Sequence, residues 1–529
     1  MRATRNSAIS RSSKSPKRVF WTWDTLFVAL LASVVSAAAV LFFYSRGELL
    51  WYGDAQAHLG IARRMVDSRT PGYNQIGTVW LPLPHALMTL FVRNDEWWRS
   101  GLAGAFPSAA AFVASVTFLY AIVKGITGQM AAGAASAAAL ALNPNVLYLQ
   151  SIAMTEVIFT ACQMGLILCG VSFARTQSLI AVALAGLFAV GGAWTRYEGW
   201  FILPFAALFF LIAAKKSRLR AFVLFCAVAA IGPLWWFAHN WWYYGNALEF
   251  YTSSQWSPKA IQGKATYPGY QNWKLAWQQY SAAAELCAGQ ALVWIGLAGL
   301  LASLRWIRQA WWPIVMLLLP PLFYMWSMHS SGGSPIFVPH LWPNSYYNTR
   351  YGFAVIPLAA FAAGMLVALY PRAWTACAIA LASCGVWLWQ PSPENWITWK
   401  ESQVNSVARR EWNREGAEYL KQHYRHGTGI FTTFGDVTGI FRLAAIPLRD
   451  TLTWDVQPHW EAAIQRPDLF LHEEWAVVVA GDPIQRCLQR AQLTGPRYTL
   501  QRRIVVKGAP VVEIYRRDRL RGIRDNSVH

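Results

Sequence analysis

The chain has 529 residues, 55% of them hydrophobic and 14% charged. Ordinary soluble domains carry roughly a quarter charged residues, so a plain soluble enzyme is excluded; the apolar content, with no short repeat, also excludes a disordered or collagen-like chain. The net charge of +20 does not indicate a nucleic-acid partner, because its basic residues gather in short segments between apolar stretches, as they do in membrane proteins.

A bilayer crossing takes roughly 20 mostly apolar residues. In chain order such stretches cover 24–43, 102–123, 130–147, 157–174, 179–194, 201–214, 221–237, 286–304, 312–328, 353–370 and 373–389, which predicts about eleven transmembrane helices. The apolar segment 80–91 is short and broken by Pro82 and Pro84, so it is expected to lie as a helix in the first outer loop. With that segment not crossing, one side receives a basic tail, 1–23 (Arg2, Arg5, Arg11, Lys14, Lys17, Arg18). The same side holds Lys124, Arg175, the cluster Lys215, Lys216, Arg218 and Arg220, then Arg305, Arg308 and Arg372, and its loops contain no Asp or Glu. Lys and Arg mark cytoplasmic loops. The first apolar stretch exceeds an ordinary signal-peptide core and shows no small-residue cleavage site, so it reads as a retained anchor with the N-terminus in the cytoplasm. A bacterial inner or plasma membrane is the expected location.

The long loops, 44–101, 238–285 and 329–352, fall on the other side. After 390 the apolar character collapses and charge rises over about 140 residues, enough for a separate domain. Helical spacing over 404–424 and strand-like runs at 429–433, 476–480, 498–506 and 510–516 predict an α/β unit. The expected fold class is therefore a polytopic α-helical membrane domain over 24–389 followed by an extracytoplasmic α/β domain over 390–529. Arg516, Arg517, Arg519, Arg521 and Arg524 could meet anionic lipid, but Asp518 and Asp525 dilute them into an ordinary solvated tail. The seven cysteines offer neither a disulfide framework nor a CxxC metal motif.

Ionisable groups near a bilayer are costly and call for a reason. Asp54 follows the first span in Trp51-Tyr52-Gly53-Asp54, with His58 four residues on, on the same face if the stretch is helical. It is a general-base candidate or a helix N-cap. Glu156 opens a span after Met154-Thr155, where it is a site acid or simply complements the helix dipole. Glu198 lies two residues after Arg196 and either pairs with it or serves a site. Arg63, Arg64, Arg196 and Arg350 are the guanidinium groups able to grip a phosphate; for Arg63 and Arg64 the alternative is headgroup contact. Arg350 stands where the loop bearing Gly332, Gly333, Pro335, Pro339 and Pro343 returns to the membrane. The cluster Trp235, Trp236, Trp241, Trp242, Tyr243 and Tyr244 is an aromatic belt or a sugar-stacking surface.

Together, the first-loop acid, the proline-broken Trp80-Leu81-Pro82-Leu83-Pro84-His85, Asn143-Pro144-Asn145, Met154-Thr155-Glu156, the late Arg350-Tyr351 pair and the C-terminal outer domain resemble the GT-C superfamily of polyprenyl-phosphate-sugar-dependent glycosyltransferases. The branch of protein O-mannosyltransferases and lipid A aminoarabinose transferases is the most similar. The resemblance implies a polyprenyl-phosphate-linked sugar donor, a hydroxyl acceptor on protein, lipid or glycan, membrane lipid as surroundings and no nucleic acid. It implies Asp54 as base, Glu156 as second acid, and Arg350 with Tyr351 as the late element. The sequence departs from the branch twice. Ala55 follows Asp54 where O-mannosyltransferases pair two acids, and Leu81 or a nearby residue stands where aminoarabinose transferases carry a lysine, leaving His85 as a substitute.

These features set the expected mechanism: Asp54 deprotonates the acceptor, Arg350 (with Arg196 or Arg64) steadies the departing lipid phosphate, and the anomeric centre inverts. Glu156 positions the acceptor or helps hold a divalent cation, a cofactor left open. The rival readings are a transporter or lipid flippase and a non-catalytic membrane scaffold.

Overall fold

The structure is a computed structural model describing residues 22–254, 257, 260, 267–330, 334–433, 435 and 437–518, without the side chain of Thr494. The basic tail residues Arg2 to Arg18, Gly332, Gly333, Arg519, Arg521, Arg524 and Asp525 lie outside the described residues.

Helix α1 (Trp23–Ser45) leads into a loop carrying three short helices, α2 (Gly53–Arg64), α3 (Pro82–Thr89) and α4 (Asp95–Ser100), before α5 (Leu102–Thr127) returns. Asp24 at the start of α1 meets Lys124 in the last turn of α5 at 2.5 Å, so the loop between them begins and ends on one face. At eight residues α3 is about 12 Å long and too short to cross. Its prolines sit at the helix start, where the missing N–H is harmless, and Pro82, Pro84, His85 and Met88 are buried. This is the in-loop helix that the sequence predicts.

The predicted span 130–147 is corrected to two pieces, α6 (Met130–Ala141) and α7 (Pro144–Gln150), bent by 65°. Pro144 cannot donate to the carbonyl one turn back, and Asn143 instead caps α7, its side chain accepting the N–H groups of Asn145 and Val146. Helices α8 (Glu156–Thr176), α9 (Leu179–Ala193), α10 (Glu198–Ala213), α11 (Arg218–Ala229) and α12 (Ile231–Tyr244) follow, and then α13 (Trp273–Ala288), α14 (Gln290–Ala302), α15 (Ile307–His329), α16 (Ile356–Val367) and α17 (Ala373–Ala380). Each predicted span holds helix. By length and composition alone six helices among the described residues can cross a membrane, seven with the bent pair, and Leu179–Ala193, Glu198–Ala213 and Ala373–Trp389 are shorter apolar helices. The count of six treats Gln290–His329 as one 40-residue helix, which if straight would be about 60 Å long. Yet Cys287 contacts the Thr349 carbonyl and Tyr324 stacks on Tyr351, both in the 3-10 turn Thr349–Val355. The chain therefore reverses at the 3-10 turn Ser303–Trp306, as two predicted crossings require.

Close packing rests on small residues. A Cβ on Gly299 would lie 1.9 Å from the Ala362 carbonyl oxygen, and one on Gly364 would lie 1.9 Å from the Ser136 hydroxyl. Pro320 removes the donor for the Met316 carbonyl, and the Gln163 side-chain amide supplies one at 2.8 Å.

After residue 390 a 27-residue helix, α18 (Ile397–His423), begins seven residues before the predicted 404. It precedes a five-stranded sheet ordered β2-β1-β3-β5-β4: β1 (Ile430–Thr432), β2 (Thr451–Leu452), β3 (Trp475–Val479), β4 (Tyr498–Ile504) and β5 (Val512–Arg517). The first three are parallel and the rest antiparallel. The two-residue β2 is too short to show a period in sequence. Trp399 and Trp412 of α18 share one buried cluster with Phe43 and Tyr148, so the α/β unit is packed onto the helical part.

Candidate active site

Tyr52, in extended backbone, is the N-cap of α2. Asp54 is thus inside the first turn rather than the cap, which removes the capping alternative. Its carboxylate accepts a hydrogen bond from a terminal nitrogen of Arg350. Arg350 enters from the turn Thr349–Val355, directed there by Asn348 in the left-handed region (φ 52°), where Asn is tolerated better than most residues.

Arg350 is the hub. Its Nε donates to Glu156 at 3.3 Å, its Nη1 lies 3.7 Å from Glu401, and its backbone N–H donates to the other Glu401 oxygen at 3.0 Å. Tyr52 donates its hydroxyl to that same oxygen at 2.8 Å, and the guanidinium sits over the rings of Tyr52 and Tyr351 at 5.1 and 5.0 Å. Burial raises the Glu401 carboxyl above its ordinary range, against the pull of Arg350. Of the three carboxylates on Arg350, Glu156 and Glu401 are 4% and 1% exposed, whereas the Asp54 side chain is 42% exposed.

A second guanidinium stands beside the first. Arg196 reaches Glu156 at 3.1 Å and Glu198 at 2.6 Å, and donates to the Thr155 and Tyr324 hydroxyls at 2.5 Å each. The Tyr324 hydroxyl in turn donates to Glu198, and its ring stacks on Tyr351 at 4.5 Å. The Arg196–Glu198 pairing does form, but as part of a network that includes Glu156. Two guanidinium groups thus face four carboxylates, Asp54, Glu156, Glu198 and Glu401.

Both guanidinium groups and three of the carboxylates, Asp54, Glu156 and Glu198, wall a cavity of about 270 Å³, whose lining also includes His58, Trp80, Tyr347, Asn348 and Tyr351. His58 lies on α2 one turn after Asp54, with its Nδ1 2.9 Å from Nε2 of His85 and its ring 4.7 Å from Trp80. Burial holds the His58 imidazole down at about 4, so it is neutral near pH 7. His85 is fully buried behind it and does not reach the cavity.

Arg63 and Arg64 point elsewhere, which corrects their assignment to substrate. Arg63 pairs with Asp67 at 2.8 Å and Asp95 at 2.7 Å and covers Trp98. Arg64 is buried against Asp455 at 3.0 Å. Both sit at the far end of α2, where they fasten the loop and the α/β unit. In the aromatic cluster Trp236 is core, stacked on His239, while Trp235, Trp241, Trp242 and Tyr243 are exposed. Arg516 pairs with Glu474, and Arg517 reaches the carbonyls of Leu471 and His472. All seven cysteines are free, and among the described residues no three His, Cys, Asp or Glu are grouped as for a metal ion.

Glu401, Tyr52 and Tyr324 escape the sequence reading. Glu401 lies in a polar helix among surface charges, and its lone signal is that residues 397–402, Ile-Thr-Trp-Lys-Glu-Ser, continue the apolar stripe of α18 upstream of 404.

The sequence profile of the dolichyl-phosphate-mannose-protein mannosyltransferase family matches residues 85–242, a stretch with Glu156, Arg196 and Glu198 but not Asp54, Arg350 or Glu401. No curated protein matches the sequence. Among solved structures, ArnT from Cupriavidus metallidurans in the apo state is similar with a TM-score of 0.56 at 13% identity, over 93% of this chain and 97% of that one. The same protein bound to undecaprenyl phosphate is similar with a TM-score of 0.53 at 12% identity, over 92% and 97%. The fold is that of an integral membrane protein of the GT-C type, ArnT-like in its helical part and with a small sheet domain at its C-terminal end.

Proposed function

We propose that the chain is a membrane glycosyltransferase that moves a sugar from a polyprenyl-phosphate donor to a hydroxyl acceptor on the face bearing the α/β domain, the extracytoplasmic side. The observation that carries this is the convergence, in one cavity, of an accessible carboxylate, the buried guanidinium of Arg350 and the largely covered guanidinium of Arg196, from distant parts of the chain. The undecaprenyl phosphate in the similar ArnT structure supports the donor class. Asp54, the exposed partner of Arg350, releases the guanidinium when the donor's phosphate enters and takes the acceptor proton as the hydroxyl attacks the anomeric carbon. Arg350 and Arg196 then stabilise the charge on the leaving lipid phosphate. Attack opposite the phosphate inverts the anomeric centre. Glu156 holds both guanidinium groups side by side.

The test is Asp54→Asn, which preserves shape and removes the base. In purified, monodisperse protein, transfer of labelled sugar from undecaprenyl phosphate should fall by about 10²–10⁴-fold. Transfer at the wild-type rate removes Asp54 from this role.

A further inference from the structure

We propose that a cleft between the first outer loop and the α/β unit is the docking site for an acidic glycan, the acceptor chain whose hydroxyl is deprotonated at Asp54. This rests on the transferase function proposed above and names the class of acceptor that it takes.

The cleft holds about 1050 Å³. One wall is the end of α2 with α4 and its flank, and the other is built from residues between 426 and 450. Arg442 donates to the Arg99 carbonyl at 2.5 Å and Arg449 pairs with Asp67 at 3.0 Å, so the two walls are tied together. Their charges do not cancel. Four arginines and three aspartates line the cleft, and each aspartate is engaged. Asp67 meets Arg63 and Arg449, Asp95 meets Arg63, and Asp450 accepts the Tyr424 hydroxyl and the Gly427 N–H. Among the described residues the side chains of Arg93 and Arg99 have no ion-pair or hydrogen-bond partner, and Glu96 beside them on α4 pairs with neither. Arg449 remains largely exposed although Asp67 touches it.

A concave surface of one sign of charge concentrates ligands of the other, and guanidinium groups suit carboxylate and phosphate alike. The occupant is water-borne. The rim is polar, with Asp95, His426 and Arg449 exposed, and none of the exposed large apolar residues lines the cleft, so no lip receives an acyl chain. No strand residue lines it either, so a peptide finds no sheet edge to extend. An anionic glycan needs neither feature. Helix α2 joins this cleft to the catalytic cavity: Asp54 in its first turn lines the cavity, and Arg63 in its last turn lines the cleft. The nine-residue separation is about 14 Å along the helix. A chain of sugars spans that distance and a single sugar does not, so the cleft holds the acceptor's charged segment while Asp54 meets its hydroxyl.

The experiment uses the full-length protein in nanodiscs of neutral lipid. Calorimetry measures binding of oligogalacturonate, a phosphorylated oligomannoside, the uncharged counterpart of each, and an oligoglutamate peptide. At least one acidic glycan should bind about tenfold more tightly than its uncharged counterpart, with an affinity that falls as salt rises; the one that binds tells carboxylate from phosphate. The double variant Arg93→Gln/Arg99→Gln should keep the wild-type melting temperature and lose that preference. Arg93→Glu/Arg99→Glu should turn the preference toward chitosan oligosaccharide, a cationic glycan, a gain that misfolding does not produce. Equal binding of charged and uncharged glycans, tighter binding of oligoglutamate, or a preference that survives the double variant overturns the proposal. Transfer of sugar from undecaprenyl phosphate is then assayed with the same glycans. A wild type that transfers sugar without favouring acidic chains sinks the role of the cleft alone. A wild type that binds acidic glycans through Arg93 and Arg99 but transfers sugar to none of them sinks the transferase function and, with it, the glycan's part as acceptor.

Discussion

A guanidinium gripped by three carboxylates can receive a phosphate only if one of them lets go. Glu156 and Glu401 are buried and cross-linked to other groups, while Asp54 has water on one side, so Asp54 is the partner that yields. Glu401 acts by positioning: one of its oxygens holds both the Tyr52 hydroxyl and the Arg350 backbone N–H. Glu401→Gln keeps those acceptors and should leave KM for the donor within a few-fold of wild type. Glu401→Ala strands two buried donors, at about 1–3 kcal/mol each, and should lower both melting temperature and kcat/KM. The same pocket gives a pH signature. The His58 imidazole is held at about 4, below its ordinary 6.5, so its contribution to stability is complete above pH 6.5 and is lost as pH falls toward 4. That amounts to about 3 kcal/mol. Glu401 is raised from 4.5, so its contribution is complete below pH 4.5 and is lost as pH rises through its raised value. In thermal unfolding scans from pH 4 to 7, His58→Phe should flatten the acid-side loss, and Glu401→Gln should remove the opposing arm. Unchanged pH profiles in both variants would contradict the burial that shifts these groups.

Among the helices, contact depends on residues that have almost no side chain. Gly299→Ala drives a methyl into the Ala362 carbonyl and Gly364→Leu drives a side chain into Ser136 and the Ala132 carbonyl. Overpacking of this kind costs about 1–3 kcal/mol, and both variants should lower the melting temperature in detergent. Ala substitution at exposed Leu297 should not. Gln163→Leu removes the donor that satisfies the carbonyl left open by Pro320. It should destabilise α15, measurable as increased proteolysis near residues 313–321, and so disturb Tyr324 one turn above. The break between α6 and α7 follows from the same logic at the opposite end: Asn143 and Pro144 restart the helix, and Asn143 and Asn145 then donate to the Cys287 carbonyl. The restart therefore ties the start of α7 to the end of α13.

At the scale of the molecule, the α/β unit is bolted to the loop that carries Asp54. Arg64–Asp455, Arg69–Glu473 and Asp67–Arg449 cross the junction, Arg409 donates to the Trp51 carbonyl, and Thr398 donates to the Asn145 side chain through backbone and hydroxyl. Removing one partner of a buried pair costs about 3–5 kcal/mol. Asp455→Ala should therefore lower the melting temperature and loosen α2, seen as faster hydrogen exchange over 53–64. Only an α/β unit independent of the membrane domain would leave that exchange unchanged.

The sequence by itself determined the elements that local chemistry dictates. Apolar length marked the spans, paired prolines kept α3 in the loop, runs rich in Val, Ile and Tyr placed four of five strands, and membrane cost singled out Asp54, Glu156 and Arg350. Those signals are local, because desolvation and backbone geometry act within a few residues. Tertiary structure decided which charges meet. Arg63 and Arg64 look as free in sequence as Arg196 and Arg350, yet the rotation of α2 turns them toward Asp67, Asp95 and Asp455 and away from the cavity. Glu401 arrives at Arg350 from 51 residues further along the chain, where it resembles any polar helix residue. Ion pairing depends on distance in space, and no short-range pattern records a partner that folding alone brings near.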